Sequence, residues 1–334
     1  MALHPPTSGP RTGAHPPAEP APSLAPNVPP YQPRRVAAAR RLPVRGLDYH
    51  LTQWGTPQPD VPILVMVHGF MDVGASFQFV VDALAARPGG QRCIVAPDWR
   101  GFGGTRAPAH TDAYWFPDYV GDLDALLDAL SPDAPVDLLG HSMGGNVVMS
   151  YAGVRPQRIR RLVNLEGFGL PDLPPADAPG RLATWLDELK QPQRLKPYAS
   201  RAEVAARLRR NNPRLPADKA AWLAGHWAEP VDPAQPDGAW ALRADAAHRR
   251  INPVPYRAAD AIATWSRITA PLLWVQGAES RTDAHWGGRY SFAEFQARLA
   301  HVPDVRQVLL AEAGHMLHHD QPEALADALA GFLG

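Results

Sequence analysis

A serine stands at the centre of residues 140–144, which read Gly-His-Ser-Met-Gly and match the pattern Gly-x-Ser-x-Gly. An apolar run precedes the pentapeptide and a helical pattern follows it. A serine on a tight strand-to-helix turn projects its hydroxyl above the sheet edge, and its neighbours must be small because the turn packs against other backbone. The pattern predicts that Ser142 is a nucleophile. A Gly-Ser turn without chemistry is the alternative.

The elements that must position this serine are visible as short apolar runs separated by helical patterns. Such runs lie at residues 63–67, 93–96, 136–139, 161–165, 272–275 and 305–310, and an earlier segment, 44–54, indicates one or two strands. Runs of this length, bounded by Gly or Pro, are typical of strands buried on both faces. Their alternation with helices predicts an α/β fold with a doubly wound, mostly parallel sheet.

Composition divides the chain into a tail, a core and an insert. Residues 1–33 are Pro-rich and poor in large apolar side chains, so they cannot bury enough surface to offset their ordering entropy and are predicted to be a disordered tail. Residues 34–170 and 262–334 carry the core pattern. Residues 171–261 show helical stretches but no clear strand, which predicts a helical cap over the ligand-binding edge of the sheet.

Charge and cysteine content limit the classes of binding partner and the cellular location that we expect. Lys plus Arg and Asp plus Glu both number 33, so nothing favours binding to nucleic acid or to an anionic membrane. The single cysteine, Cys93, leaves no internal disulfide, and we expect a reducing, cytoplasmic location. No run approaches the roughly 20 residues of a membrane span, and no secretory signal is evident. We expect a small-molecule substrate; the oligomeric state is not indicated.

Four features, in chain order, resemble the α/β-hydrolase superfamily. They are His68-Gly69-Phe70, residues 98–103 (Asp-Trp-Arg-Gly-Phe-Gly), residues 140–145 and Gly314-His315. Residues 68–72 and 75–77 are similar to its serine hydrolase-like (esterase/lipase-type) branch. The resemblance implies the α/β-hydrolase fold with a cap and a mechanism without cofactor or metal.

The resemblance also assigns roles to individual residues. It implies that His315 is the base that takes the proton of Ser142 and returns it to the leaving group. It implies an oxyanion hole formed by the backbone N–H groups of Met143 and Phe70, each contributing about 3 kcal/mol to stabilisation of the tetrahedral intermediate. Asp98 and Arg100 match a loop that is mainly structural in the superfamily.

Two glutamates compete for the role of the triad acid. In most of the superfamily the acid lies three residues past the glycine that ends the strand at 272–276, but here that position is Ser280, with Glu279 one residue earlier. Glu166 directly follows the run at 161–165, where certain haloalkane dehalogenases carry their acid. A carboxylate at the carboxyl end of a strand faces the active-site edge. We expect Glu166 to orient His315, with Glu279 as the alternative.

Other candidate residues have simpler interpretations. His318, His319 and Asp320 are adjacent, and adjacent side chains rarely converge on one metal ion, so we expect no metal site there. His68 and His141 are expected to have supporting or packing roles. Five tryptophans of the insert either line an acyl pocket or form the insert's own core: Trp185, Trp222, Trp227, Trp240 and Trp265.

These features together predict a serine hydrolase that cleaves a carboxylic ester, or a related acyl bond, of a small to medium apolar substrate through an acyl-enzyme on Ser142. A non-catalytic ligand-binding protein of the same fold, a cofactor-free haloperoxidase-like activity and a carbon–carbon hydrolase stay open as alternatives. A dehalogenase or epoxide hydrolase is disfavoured, because those relatives need an aspartate where Ser142 stands.

Overall fold

The computed structural model describes residues 29–108 and 110–334, and its centre is an eight-stranded sheet. Ten strands lie in the described residues, and all except β7 and β8 belong to this sheet: β1 (Ala38–Val44), β2 (Leu47–Trp54), β3 (Leu64–Val67), β4 (Ile94–Pro97), β5 (Val136–His141), β6 (Ile159–Leu165), β7 (Ala228–Pro230), β8 (Trp240–Leu242), β9 (Leu272–Gly277) and β10 (Val305–Leu310). The order in the sheet is β1-β2-β4-β3-β5-β6-β9-β10. The β1–β2 and β2–β4 pairs are antiparallel, and the remaining neighbours from β4 to β10 are parallel, which confirms the predicted mostly parallel sheet.

The α-helices of the described residues are α1 (Gln78–Leu84), α2 (Phe116–Leu130), α3 (Met143–Val154), α4 (Ala178–Leu189), α5 (Arg201–Asn211), α6 (Ala217–Trp227), α7 (Ala258–Trp265), α8 (Thr282–His285), α9 (Phe292–Leu299), α10 (Leu317–Asp320) and α11 (Pro322–Leu333). α1 and α11 cover one face of the sheet, and α2, α3, α7 and α9 cover the other. Within the described residues, no helix is long and apolar enough to cross a membrane.

Alternate residues of each central strand pack into different cores. Val65 and Leu138 belong to the core under α2, α3, α7 and α9, whereas Leu64 and Leu139 belong to the core under α1 and α11. All four side chains are fully buried. Because both faces are covered, the strands are apolar without interruption, which is the pattern that predicted them.

The sheet order brings the functional loops to one edge. β5, β6, β9 and β10 are consecutive and parallel, so their carboxyl ends lie side by side, and β3 flanks β5 on its other side. The segments that follow β5, β6, β9 and β10 carry Ser142, Glu166, Ser280 and His315. Residues 149 and 173 positions apart in the chain therefore become neighbours.

The insert departs from its prediction in one respect. α5 and α6 occupy the two segments with the clearest helical pattern, residues 201–210 and 217–227. The expectation of no strand was wrong, because β7 pairs with β8 in an antiparallel hairpin. Each strand has three residues, which is too short to produce a recognisable alternation of apolar and polar side chains.

The predicted tail overlaps with the folded part of the chain. Residues 1–28 lie outside the described residues, so the prediction for them stays a prediction. Tyr31, however, lies edge-on against Phe79 and Trp222, with ring centroids 5.1 and 5.5 Å away, and its hydroxyl donates to Asp82. Tyr31, which composition assigns to the tail, therefore packs against α1 and the insert.

Candidate active site

Ser142 occupies the turn between β5 and α3, and its backbone has a positive φ, which is unfavourable for a residue other than glycine. Its φ is 53° and its ψ is −114°, a region that costs a non-glycine residue about 1–3 kcal/mol. A Cβ on Gly140 would lie 2.3 Å from the carbonyl oxygen of Gly144, and a Cβ on Gly144 would lie 2.4 Å from that of Val67. The two glycines of the motif are thus required by the packing of the turn against its own helix and against β3.

One imidazole connects the serine to a carboxylate. His315 Nε2 lies 2.9 Å from Ser142 Oγ, and His315 Nδ1 lies 3.2 Å from Glu166 Oε2. The histidine side chain is about half exposed, at 51%, whereas the glutamate side chain is fully buried. This arrangement of hydroxyl, imidazole and carboxylate can transfer a proton from the serine to the histidine.

Glu166 is held at the end of β6 by donors from the neighbouring strand end. Its Oε1 accepts the backbone N–H of Gly277 at 2.7 Å, and its Oε2 accepts the hydroxyl of Ser280 at 2.6 Å. Its own φ is 58°, a second strained position at this edge. Charge-assisted hydrogen bonds of this kind stabilise a buried carboxylate and fix its direction. The oxygen bonded to Ser280 is the one that faces His315.

Glu279 forms no hydrogen bond or ion pair with the histidine. It forms an ion pair with Arg214 of the insert, and half of its side chain is exposed. Ser280 stands at the position where the superfamily resemblance places the acid, and its hydroxyl contacts the carboxylate from β6 instead. Of the two glutamates predicted as alternatives, the structure brings only Glu166 to His315.

The backbone that could bind an oxyanion lies beside the serine. A Cβ added to Gly69 would be 3.1 Å from Ser142 Cβ, so the loop after β3 passes close to the turn. Phe70 and Met143 line the same cavity as Ser142 and His315. Their N–H groups have no hydrogen-bond acceptor among the described residues. They are therefore available to a bound oxygen atom.

His141 has a contact that the sequence did not reveal. Its Nε2–H donates to the carbonyl oxygen of His315 at 2.8 Å, which fixes the backbone that carries the triad imidazole. Burial lowers the pKa of His141 well below its usual range, so the ring is neutral. His68 is bonded to its own loop, because its Nε2 accepts the N–H of Trp99 and its Nδ1–H donates to the carbonyl of Gly69.

Asp98 and Arg100 serve the loop after β4. Asp98 accepts the N–H groups of Gly74 and Gly104, both at 2.7 Å. Arg100 pairs with the buried carboxylate of Asp122 on α2. Neither side chain lines the cavity of Ser142.

Ser142 opens into a cavity of about 1480 Å³ between the sheet edge and the insert. Most of its wall is apolar, with aromatic side chains from the core and from the insert. The aromatic residues in this wall are Phe70, Trp115, Phe116, Phe168, Tyr256, Trp265 and Trp286. Of the five tryptophans considered from the sequence, Trp265 alone lies in the wall. Trp222, Trp227 and Trp240 pack against the apolar cluster of α5 and α6.

The histidines near the C-terminus do not form the cluster that their sequence suggests. The structure instead groups His318 with Asp72 and His141, and the potential ligand atoms of these three buried residues lie within 4.8 Å of one another. His319 and Asp320 are not in this group. No sequence pattern connects the three, because they come from three separate segments.

Known proteins resemble the chain in both sequence and fold. A 3-hydroxybutyrate-oligomer hydrolase from Cupriavidus necator is 30% identical over 300 residues, which cover 86% of this chain and 93% of that protein. A serine hydrolase-like protein of Dictyostelium discoideum is 23% identical over 86% of this chain and 79% of its own length. The thioesterase domain from the curacin biosynthetic pathway superposes with a TM-score of 0.76 at 26% identity, over 89% of this chain and 99% of that domain.

The family assignment follows from these similarities and from the sheet topology. Residues 62–322 match the model of a protein family described as the alpha/beta hydrolase fold. The predicted superfamily is thereby confirmed, and the chain belongs to the α/β-hydrolase fold family.

Proposed function

We propose that this protein hydrolyses carboxylic esters through an acyl-enzyme on Ser142, with His315 as general base and Glu166 as the acid that orients it. The observation that carries the proposal is the pair of contacts made by one imidazole, 2.9 Å to Ser142 Oγ and 3.2 Å to Glu166 Oε2, at the wall of a large cavity. A serine is a weak nucleophile unless such a base removes its proton.

Acylation begins with attack of Ser142 Oγ on the ester carbonyl carbon while its proton moves to His315 Nε2. The carbonyl oxygen becomes negatively charged and is stabilised by the N–H groups of Phe70 and Met143. The tetrahedral intermediate collapses as His315 gives the proton to the leaving alkoxide oxygen. The alcohol departs and the acyl group stays on the serine.

Deacylation repeats these steps with water as the nucleophile. His315 Nε2 takes a proton from water as the water oxygen attacks the acyl carbon, and it returns the proton to Ser142 Oγ as the acid product leaves. Glu166 accepts the Nδ1–H of His315 throughout, so the lone pair stays on Nε2 and the imidazolium is stabilised when it forms.

For the substrate we propose short oligoesters of hydroxy acids. The C. necator relative bears the name of a hydrolase for 3-hydroxybutyrate oligomers. The cavity exceeds the roughly 300–1,000 Å³ of ordinary small-molecule sites, which suits a chain of several units. Arg257 and Arg281 line it, and their side chains form no hydrogen bond or ion pair with another described side chain. A guanidinium is suited to the free carboxylate at the end of such an oligomer.

The test combines a chromogenic ester with a natural-type substrate. Wild type is expected to release a burst of p-nitrophenol from p-nitrophenyl butyrate, to hydrolyse the 3-hydroxybutyrate dimer, and to be labelled by a fluorophosphonate. Ser142→Ala is the matched control and is expected to lose all three. Absence of turnover together with absence of labelling in wild type would contradict the proposed enzymatic activity and favour a ligand-binding protein of this fold.

The substrate class has its own control. Arg281→Gln is expected to lower kcat/KM for the free dimer about tenfold, and to leave kcat/KM for its methyl ester within twofold, because the ester lacks the carboxylate. An equal effect on both substrates would remove Arg281 from carboxylate recognition.

Thioester hydrolysis is a second candidate, favoured by the structural likeness to the curacin thioesterase domain. The same acyl-enzyme would form, with a thiolate as the leaving group. Comparison of kcat/KM for butyryl-N-acetylcysteamine and for p-nitrophenyl butyrate ranks the two activities. A thioester preference of tenfold or more would replace the ester as the proposed substrate bond.

A further inference from the structure

A second group of polar side chains lies behind the triad histidine, outside the substrate cavity. Asp72, His141 and His318 have only 3%, 2% and 0% of their surface exposed. Asp72 Oδ2, His141 Nδ1 and both ring nitrogens of His318 have no hydrogen-bond partner among the described residues. Buried polar atoms in proteins are almost always hydrogen-bonded, so several such atoms facing one another call for a common ligand.

Potential ligand atoms of the three residues converge. One such atom from each residue lies within 4.8 Å of the other two, and His318 Nε2 lies 3.9 Å from Asp72 Oδ2. Two ligands of a tetrahedral zinc ion lie about 3.3 Å apart, given zinc–nitrogen and zinc–oxygen distances of about 2.0–2.2 Å. The three side chains must therefore move closer together, by up to about 1.5 Å, to form a closed coordination shell.

In His141 and Asp72, the remaining polar side-chain atom is already hydrogen-bonded. His141 Nε2–H donates to the carbonyl oxygen of His315, which leaves the lone pair on Nδ1. Asp72 Oδ1 accepts the backbone N–H of Val73 at 2.9 Å and the Nε1–H of Trp227 at 2.8 Å, which leaves Oδ2 free. Metal ligands typically show this arrangement, in which an outer hydrogen bond fixes the tautomer of a histidine or the direction of a carboxylate.

Protonation agrees with this geometry. Burial lowers the pKa of both His141 and His318 well below the usual range, so both rings are neutral and carry lone pairs at neutral pH. Burial raises the pKa of Asp72, because the carboxylate has lost water without gaining a full counter-charge. A cation beside Asp72 Oδ2 would supply that charge.

We propose that Asp72, His141 and His318 together bind one transition-metal ion of the zinc type. Two imidazoles and one carboxylate favour Zn²⁺ over Mg²⁺ or Ca²⁺, which prefer oxygen ligands. Three protein ligands leave a fourth position for water. The ion is structural, since it fixes the His141 ring that holds the backbone of His315, and it takes no part in bond breaking.

The test measures metal binding directly and does not depend on activity. Chelator-treated full-length protein is incubated with Zn²⁺ and dialysed, and bound zinc is measured by mass spectrometry together with the Tm. Wild type is expected to retain one equivalent and to melt at a higher temperature with Zn²⁺, because the ion binds only the folded state. His318→Gln and Asp72→Asn are expected to lose both effects.

Two histidine variants serve as matched controls. His319→Gln changes a buried histidine directly beside His318 that is outside the group, and is expected to retain the ion. His315→Gln removes the half-exposed imidazole that contacts Ser142, and is also expected to retain the ion, because the hydrogen bond to His141 uses the carbonyl oxygen of His315 and the imidazole makes only a ring contact with it. Loss of zinc in His315→Gln with retention in His318→Gln would place the ion in the triad and overturn the proposal.

A spectroscopic measurement on wild type covers the case in which His318→Gln and Asp72→Asn do not fold. Co²⁺ in place of Zn²⁺ is expected to give the intense visible absorption of a four-coordinate site, at one equivalent of Co²⁺ per chain. A weak, octahedral-type spectrum, or no retention of either ion by wild type after dialysis, would refute the site.

Discussion

The ends of β6 and β9 are neighbours in the sheet and each is followed by a glutamate, yet the two carboxylates have opposite environments. Glu166 is fully buried, accepts hydrogen bonds from Gly277 and Ser280, and contacts His315. Glu279 is half exposed and pairs with Arg214 of the insert. Glu166 directly follows β6, whereas Glu279 lies two residues after β9, and the two carboxylates differ in burial and in partner.

The comparison concerns which of two adjacent strand ends supplies the carboxylate that contacts His315. Because β6 and β9 are adjacent and parallel, a carboxylate at the carboxyl end of either strand is close to the same imidazole. Ser280, at the position after β9 where the resemblance places the acid, donates its hydroxyl to Glu166. The end of β9 thus helps to hold the carboxylate at the end of β6.

The strongest test of this comparison is Glu166→Gln. The amide cannot stabilise the imidazolium and favours the wrong histidine tautomer, so kcat for p-nitrophenyl butyrate is expected to fall about 10³–10⁴-fold. Pre-steady-state kinetics with Glu279→Gln as matched control measures the difference. A larger loss in the control than in Glu166→Gln would reverse the assignment of the acid.

Stability provides a second contrast between the two glutamates. Glu166→Ala leaves Gly277 N–H and the Ser280 hydroxyl without their buried acceptor, and is expected to lower the free energy of unfolding by about 2–3 kcal/mol. Glu279→Ala removes only a half-exposed partner and is expected to change it little. Urea unfolding followed by tryptophan fluorescence compares the two, and equal losses would contradict the difference in environment.

A third test moves the carboxylate from the end of β6 to the end of β9. Ser280→Asp in the Glu166→Gln background places a carboxylate where the hydroxyl now contacts residue 166. We expect kcat to recover at least tenfold relative to Glu166→Gln alone, because the new carboxylate can accept the Nδ1–H of His315. Ser280→Asn in the same background is the control, and equal activity of the two double variants would mean that the β9 end cannot reach the base.

A smaller effect is expected from Ser280→Ala. Loss of one donor at 2.6 Å frees Glu166 Oε2 without removing the carboxylate. We expect kcat to fall about three- to tenfold, with KM changed little, since the hydroxyl is bonded to Glu166 Oε2 and positions that carboxylate. Ser280→Thr keeps the hydroxyl and is expected to restore most of the activity. Failure of this rescue would indicate a steric role instead.

The smallest effect is expected from Glu279→Gln. Its carboxylate pairs with exposed Arg214 and makes no contact with His315, so kcat on p-nitrophenyl butyrate is expected to stay within twofold of wild type. Steady-state kinetics at low and high salt checks this. A salt-independent loss greater than tenfold would show that Glu279 acts in catalysis.

Local patterns in the sequence were sufficient to locate most elements. The apolar run at residues 305–310 coincides with β10, and the helical pattern at residues 217–227 coincides with α6. The hairpin of β7 and β8 was missed because three-residue strands carry no periodic signal. The fixed position of Tyr31 was missed because it depends on Phe79 and Trp222, which are distant in the chain.

The sequence by itself determined the tight turn at Ser142, since only glycines fit at residues 140 and 144. It also placed His315 after the last strand and offered two glutamates for the acid. Only the tertiary structure shows that Glu166, and not Glu279, contacts His315, because the direction of a side chain at a strand end depends on donors from the neighbouring strand. It likewise decided that His318 meets Asp72 and His141, since contacts between distant segments follow from strand order and packing, which local spacing does not encode.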